Sequence, residues 1–174
     1  MKRFQKWLIA VLCLITISSV AVSVWTIFFR NVDSPEGPLV PDRAPEIEEQ
    51  AKPIPNDTSE KDKKPATGGS VTLTYSDQVA IDLSEQAASL MFANPKKSNQ
   101  DMVLQIVIQD TVIVRSGRLE PGNQISLLTL AEGAVEKLRA GGYEGKFCVF
   151  YYDRENGKKA AVNTEIPIEV AVRK

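Results

Sequence analysis

"LRAGGYEGKFCVFYYDRENGKKAAVNTEIPIEVAVRK", residues 138–174, decides the fold. In its last part Ile166, Ile168, Val170 and Val172 fall on one side of an extended chain, and Glu165, Pro167, Glu169 and Arg173 fall on the other. A side-chain period of two belongs to a strand with one buried face, and a slip of one position would turn that aliphatic face to water. Residues 146–152 are apolar at both parities, as a central strand should be. Between the two runs, Asn156-Gly157 supplies the positive φ that a tight hairpin turn requires.

The same texture of short, branched, alternating runs extends upstream to Ser70. Residues 71–75, 79–83, 87–93, 102–109, 111–115 and 124–130 read as strands, the first two as one bent strand or two pieces. Pro121-Gly122 suits the central positions of a type II turn, and residues 132–139 suit one helical turn. About seven strands in this length predict an all-β Greek-key sandwich over residues 70–174.

The amino-terminal part is built differently. Lys2, Arg3 and Lys6 precede residues 7–29, which carry no charge and are long enough to cross a bilayer as a helix. Trp7 and Trp25 lie about 27 Å apart on such a helix, the spacing of two interfacial aromatic belts. Basic residues on the amino-terminal flank predict a single-pass cell-membrane protein with residues 1–6 cytoplasmic and residues 70–174 extracellular. Residues 30–69 hold Pro35, Pro38, Pro41, Pro45, Pro53, Pro55 and Pro65 among many charges, and are expected to be a disordered linker.

Composition narrows the chemistry. The net charge is -1 and no histidine is present, which removes a basic footprint for nucleic acid, His-based catalytic triads and His-ligated zinc. Cys13 lies in the apolar run and Cys148 in a strand, so no disulfide framework is expected, and Cys148 reads as a small buried hydrophobe. The acidic pairs Asp101 with Asp110 and Asp153 with Glu155 do not have the spacing of a calcium loop. No catalytic residue, metal or cofactor is predicted.

Leu138, Gly141 and Tyr143 resemble the corner between strands E and F of immunoglobulin and fibronectin type III sandwiches, where a tyrosine hydroxyl bonds to upstream backbone. With "NP", "SGRLEPG" and "LRAGGYEGKF", residues 71–174 resemble the immunoglobulin-like sandwiches of small membrane-anchored Gram-positive envelope proteins of unassigned role. The buried tryptophan and paired cysteines of antibody domains are missing. Anchor, linker and sandwich together, with no catalytic residue, predict a non-enzymatic binding or scaffolding protein. Alternatives are an accessory subunit of a secretion, conjugation or pilus apparatus, and a protease inhibitor with Lys96 or Arg118 as bait.

In such a sandwich the B–C and F–G loops share one end. Lys96 and Lys97 would then meet Arg154, Lys158 and Lys159, a candidate surface for an anionic envelope polymer or a protein partner. Membrane lipid around residues 7–29 is the other expected partner. Lys146 and Asn163 are the nominal pair for the internal isopeptide bond of some Gram-positive surface sandwiches.

Overall fold

The structure is a computed structural model that describes residue 7, residues 40–63 and residues 69–174. The expected membrane helix 7–29, apart from Trp7, lies outside the described residues, as do Trp25, residues 1–6, 30–39 and 64–68. No helix among the described residues is long and apolar enough to cross a membrane.

Among the described residues nine strands follow in chain order: β1 (Lys52–Pro53), β2 (Thr74–Tyr75), β3 (Gln78–Asp82), β4 (Ala87–Asn94), β5 (Gln100–Ile108), β6 (Thr111–Arg115), β7 (Asn123–Thr129), β8 (Gly141–Asp153) and β9 (Lys159–Arg173). The single turn of helix α1 (Ala134–Lys137) lies inside the stretch where one was expected. The fold is all-β and sandwich-like, made by one curled sheet in the order β1-β7-β4-β3-β9-β8-β5-β6, with β2 beside β4. The curl brings the last strand back to the other layer, where Val114 bridges Leu130 and the Ala131 N–H donates to Ile113 C=O at 2.8 Å.

Residues 71–75 and 79–83 are two pieces. The Ser76 N–H bonds to Met91 C=O on β4 while Asp77 C=O accepts from Glu169 N–H on β9, so the chain changes layers between them. β3 then pairs antiparallel with β4 and parallel with β9. This strand joins the two layers, and nothing in its own alternation announces a parallel partner.

The core lies where the alternation put it. Ile166, Ile168, Val170 and Val172 are buried and face Phe92, Ile125, Leu128 and Ile81 in one cluster. Phe92 and Phe147 meet edge-on across the layers, ring centroids 5.9 Å apart, an arrangement that favours the aromatic quadrupoles.

Residues 40–63 differ from the expected disordered linker. They lie along the head, pairing β1 with β7 and bridging Arg43 to Lys158 and Ile47 to Arg118. The segment has too little apolar surface to fold alone, and the head supplies its missing partners, open backbone groups and cations.

Candidate functional site

Three loops of the head, residues 95–99, 116–122 and 154–158, are tied together by contacts at the end where residues 40–63 lie. Buried Asn94, 0 % exposed, closes β4: its amide donates to Gln100 C=O and to Leu119 C=O at 3.0 Å each, and its own C=O accepts from Gly122 N–H. The side chain thus fastens the first two of these loops. Ser98 and Ser116 do similar work, bonding Thr72 and the Leu104 N–H.

Under residues 40–48 lies a group of opposite charges. Asp101, 1 % exposed, has Arg118 Nη1 3.3 Å from one oxygen and Arg154 Nε 3.1 Å from the other. Arg154 is set off the hydrogen-bond axis of Oδ1, so that contact is one of charge. Arg154 Nη2 also stands 3.7 Å from Glu120. Burial pushes the Asp101 carboxyl above its ordinary value, and the two guanidinium groups pull it part of the way back.

Lys96, Lys97, Arg154 and Lys159, all singled out in the sequence, have side-chain partners here. The Lys96 N–H donates to Asp57 at 2.8 Å and its ammonium to Asp57 C=O at 2.9 Å. Lys97 stands 3.9 Å from Asp62. The main chain of Lys158 pairs with that of Arg43, and the Lys159 ammonium reaches Val40 C=O and lies 5.8 Å above the Phe150 ring. The acidic residues opposite them, Asp57 and Asp62, come from the segment expected to be a free linker. The signal that could have revealed this was the match between an acidic, proline-rich run and two basic loops. Lys96 and Arg118 are both turned back onto the chain, and neither is held out as protease bait.

The Lys96 N–H holds the Asp57 carboxyl below its ordinary value, so that contact stabilises the fold above the unfolded carboxylate range and is lost as pH falls through the lowered value. Asp101 has the opposite sign.

At the far corner, Leu138 is buried and the Tyr143 hydroxyl accepts from Arg139 N–H at 3.0 Å and donates to Arg139 C=O at 3.1 Å. Gly141 at φ 152 begins β8 there. Replacing Tyr143 by phenylalanine removes both bonds from a partly exposed site, and about 1 kcal/mol of stability is the expected loss by denaturant titration.

Cys148 sits on the face of β8 away from the core, packed with Val107 and Val112. Burial pushes its thiol up, with Glu165 adding to the shift. Native protein at pH 8 is therefore expected to react with iodoacetamide roughly tenfold or more slowly than unfolded protein, read by intact mass. Lys146 pairs with Glu165 at 2.9 Å and stands opposite Pro167, whereas Asn163 stands opposite Phe150. Register thus keeps Lys146 and Asn163 four positions apart, and the isopeptide pair does not meet.

No family model matches the chain, and no curated protein matches it. Among solved structures it is similar to AggA, the major subunit of aggregative adherence fimbriae type I from Escherichia coli, at 12 % identity and TM-score 0.29, covering 64 % of this chain and 100 % of that one. It is also similar to the CooA pilin subunit of enterotoxigenic Escherichia coli, at 13 % identity and TM-score 0.25, covering 60 % and 99 %. Similarity this slight carries no argument about what this chain does.

Proposed function

We propose that this chain is a non-enzymatic binding or scaffolding module of the cell envelope. Its head is an immunoglobulin-like sandwich, carried outside the cell by residues 7–29 as a single membrane helix with residues 1–6 cytoplasmic. The strand order supports the immunoglobulin-like reading: β4 and β7 stand for strands B and E, and β9, β8, β5 and β6 for G, F, C and C′.

The observation that carries the functional reading is the wrapped end of the head. There Asp101, Arg118, Arg154 and Glu120 hold one another rather than a reacting group, and the main chain of residues 40–63 is bound as a ligand would be. The partner on this reading is a protein or an anionic envelope polymer, with no nucleic acid and no cofactor. An accessory subunit of a secretion, conjugation or pilus apparatus is the second reading. What supports it is that Lys52–Pro53 caps β7 and residues 130–131 cap β6, so subunits can pack without uncontrolled edge pairing.

Detergent-solubilised full-length chain, used as bait in envelope extract, is expected to retain a discrete partner at 0.15 M salt, a retention that weakens when Lys158 and Lys159 become serine. Retention of nothing above a tag-only control counts against both readings, and apparatus components in the eluate favour the second.

A further inference from the structure

β5 is buried on both faces, although a strand of a two-layered head normally turns one face to water. Its side chains directed away from the core, Asp101, Val103 and Gln105, are 1 %, 0 % and 3 % exposed, and Tyr152 beside them on β8 is 0 % exposed. Residues 40–48 cross this face from the β8–β9 turn to the turn after β6. They are held at two short ladders. At one, the Ala44 N–H donates to Gly157 C=O and the Lys159 N–H to Asp42 C=O. At the other, the Glu48 N–H donates to Arg118 C=O and the Arg118 N–H to Glu46 C=O. The Tyr152 hydroxyl on Pro41 C=O and the Gly117 N–H on the Glu48 carboxylate complete the attachment.

This cover has a weak apolar grip of its own, since Ile47 is 53 % exposed. Main-chain bonds and the Glu48 carboxylate on Gly117 N–H hold it, and it carries Asp42, Glu46 and Glu48, opposite in sign to Arg118, Arg154, Lys158 and Lys159 of the head. Gly117 gauges how closely a bound chain must approach, because a Cβ there would stand 2.9 Å from Glu46 O and from Glu48 N and Cα.

We propose that residues 40–48 are a displaceable internal ligand, and that the face beneath them takes an extended, acidic, proline-bearing segment of a partner protein in their place. The proposal rests on the reading of the head as an interaction module and names the site and the partner's chemistry. Recognition is by main-chain pairing, as in strand addition, with the cations setting the preference for acidic sequence. The internal copy lowers the apparent affinity for the external one by the fraction of time it stays bound.

The test uses full-length chain in detergent micelles and, as probe, a fluorescent synthetic peptide of residues 40–49. The Ala44→Pro/Glu48→Ala variant removes the N–H on Gly157 and the carboxylate on Gly117 from the internal copy alone. It is expected to bind the peptide about tenfold or more tightly than the unaltered chain. Adding Gly117→Ala should abolish that binding, and a scrambled peptide of equal charge should not bind. Equal affinity of the double variant and the unaltered chain, or equal binding of the scrambled peptide, overturns the proposal.

Hydrogen exchange on the unaltered chain decides the matter without any variant. If the cover opens alone, the amides of Ala44, Glu48 and Lys159 exchange about a hundredfold or more faster than that of Leu104. Equal protection at all four means a permanent part of the fold and overturns the proposal. Capture of an envelope partner by a chain that ignores the peptide leaves the module reading standing and removes this one.

Discussion

Phe147→Ala is expected to lower the unfolding free energy by about 3 to 5 kcal/mol, the range for truncating a fully buried aromatic ring. Phe147 is 0 % exposed on β8 and stands edge-on to Phe92 at 5.9 Å and to Tyr75 at 6.4 Å, so it is a central contact between the two layers. Its loss leaves a void bounded by β4, β5 and β9, strands fixed by ladders on either side that can relax only partly. Guanidinium unfolding followed by far-ultraviolet circular dichroism measures the change. A loss below about 1 kcal/mol would mean the layers do not pack through this ring. Phe147→Leu keeps most of the volume and is expected to cost about half as much.

Arg118→Leu is expected to cost about 2 to 4 kcal/mol at pH 7, because it leaves the Asp101 carboxylate buried with Arg154 as its remaining cation. The cost should depend on pH. Burial already raises the folded-state value of Asp101 above the unfolded one, so its contribution to stability is fully present below the unfolded value and is lost as pH rises through the folded value. Removing a guanidinium that opposed this shift raises the folded value further. The penalty is therefore largest near neutral pH and shrinks toward pH 3, where the carboxyl is protonated in both states. Chemical unfolding of both proteins at pH 7 and pH 3 reads the difference. A penalty independent of pH would place the effect in packing of the arginine stem rather than in the charge of Asp101.

The strands were legible wherever one face is apolar and the other is not. β9 shows this best, since the residues that alternate in its sequence alternate in burial along its carboxyl-terminal half. The corner of Leu138, Gly141 and Tyr143 was legible for a related reason: its hydroxyl bonds backbone four positions upstream, a local event that a short pattern can encode. In β5 the alternation of Leu104, Ile106 and Ile108 marks one apolar face. Its second face is also buried, in part by Val112, Cys148 and Phe150, and a segment far earlier in the chain crosses its Asp101 end, which no local period records.

The candidate surface shows the same division. Sequence placed Lys96 and Lys97 with Arg154, Lys158 and Lys159 as a basic end open to an anionic partner. In the folded chain Lys96, Lys97 and Arg154 meet Asp57, Asp62, Asp101 and Glu120, the Lys159 ammonium meets Val40 C=O, and the main chain of Lys158 pairs with Arg43. A proline-rich, charged run has the composition of a linker because it cannot bury apolar surface by itself. Composition does not record whether a neighbouring domain offers unpaired backbone groups and opposite charge at the right spacing.

By itself the sequence determined an all-β head, the inward face of its strands, its main turns and the lack of histidine chemistry, because periodicity, turn residues and composition are local properties. The tertiary structure alone decided the parallel pairing of β3 with β9, the curl that brings β6 back to residues 130–131, the ion group around Asp101 and the wrapping of residues 40–63. Each of these depends on groups far apart in the chain, whose meeting is fixed by closure of the sheet and by the need to pair backbone and charge once water has been excluded.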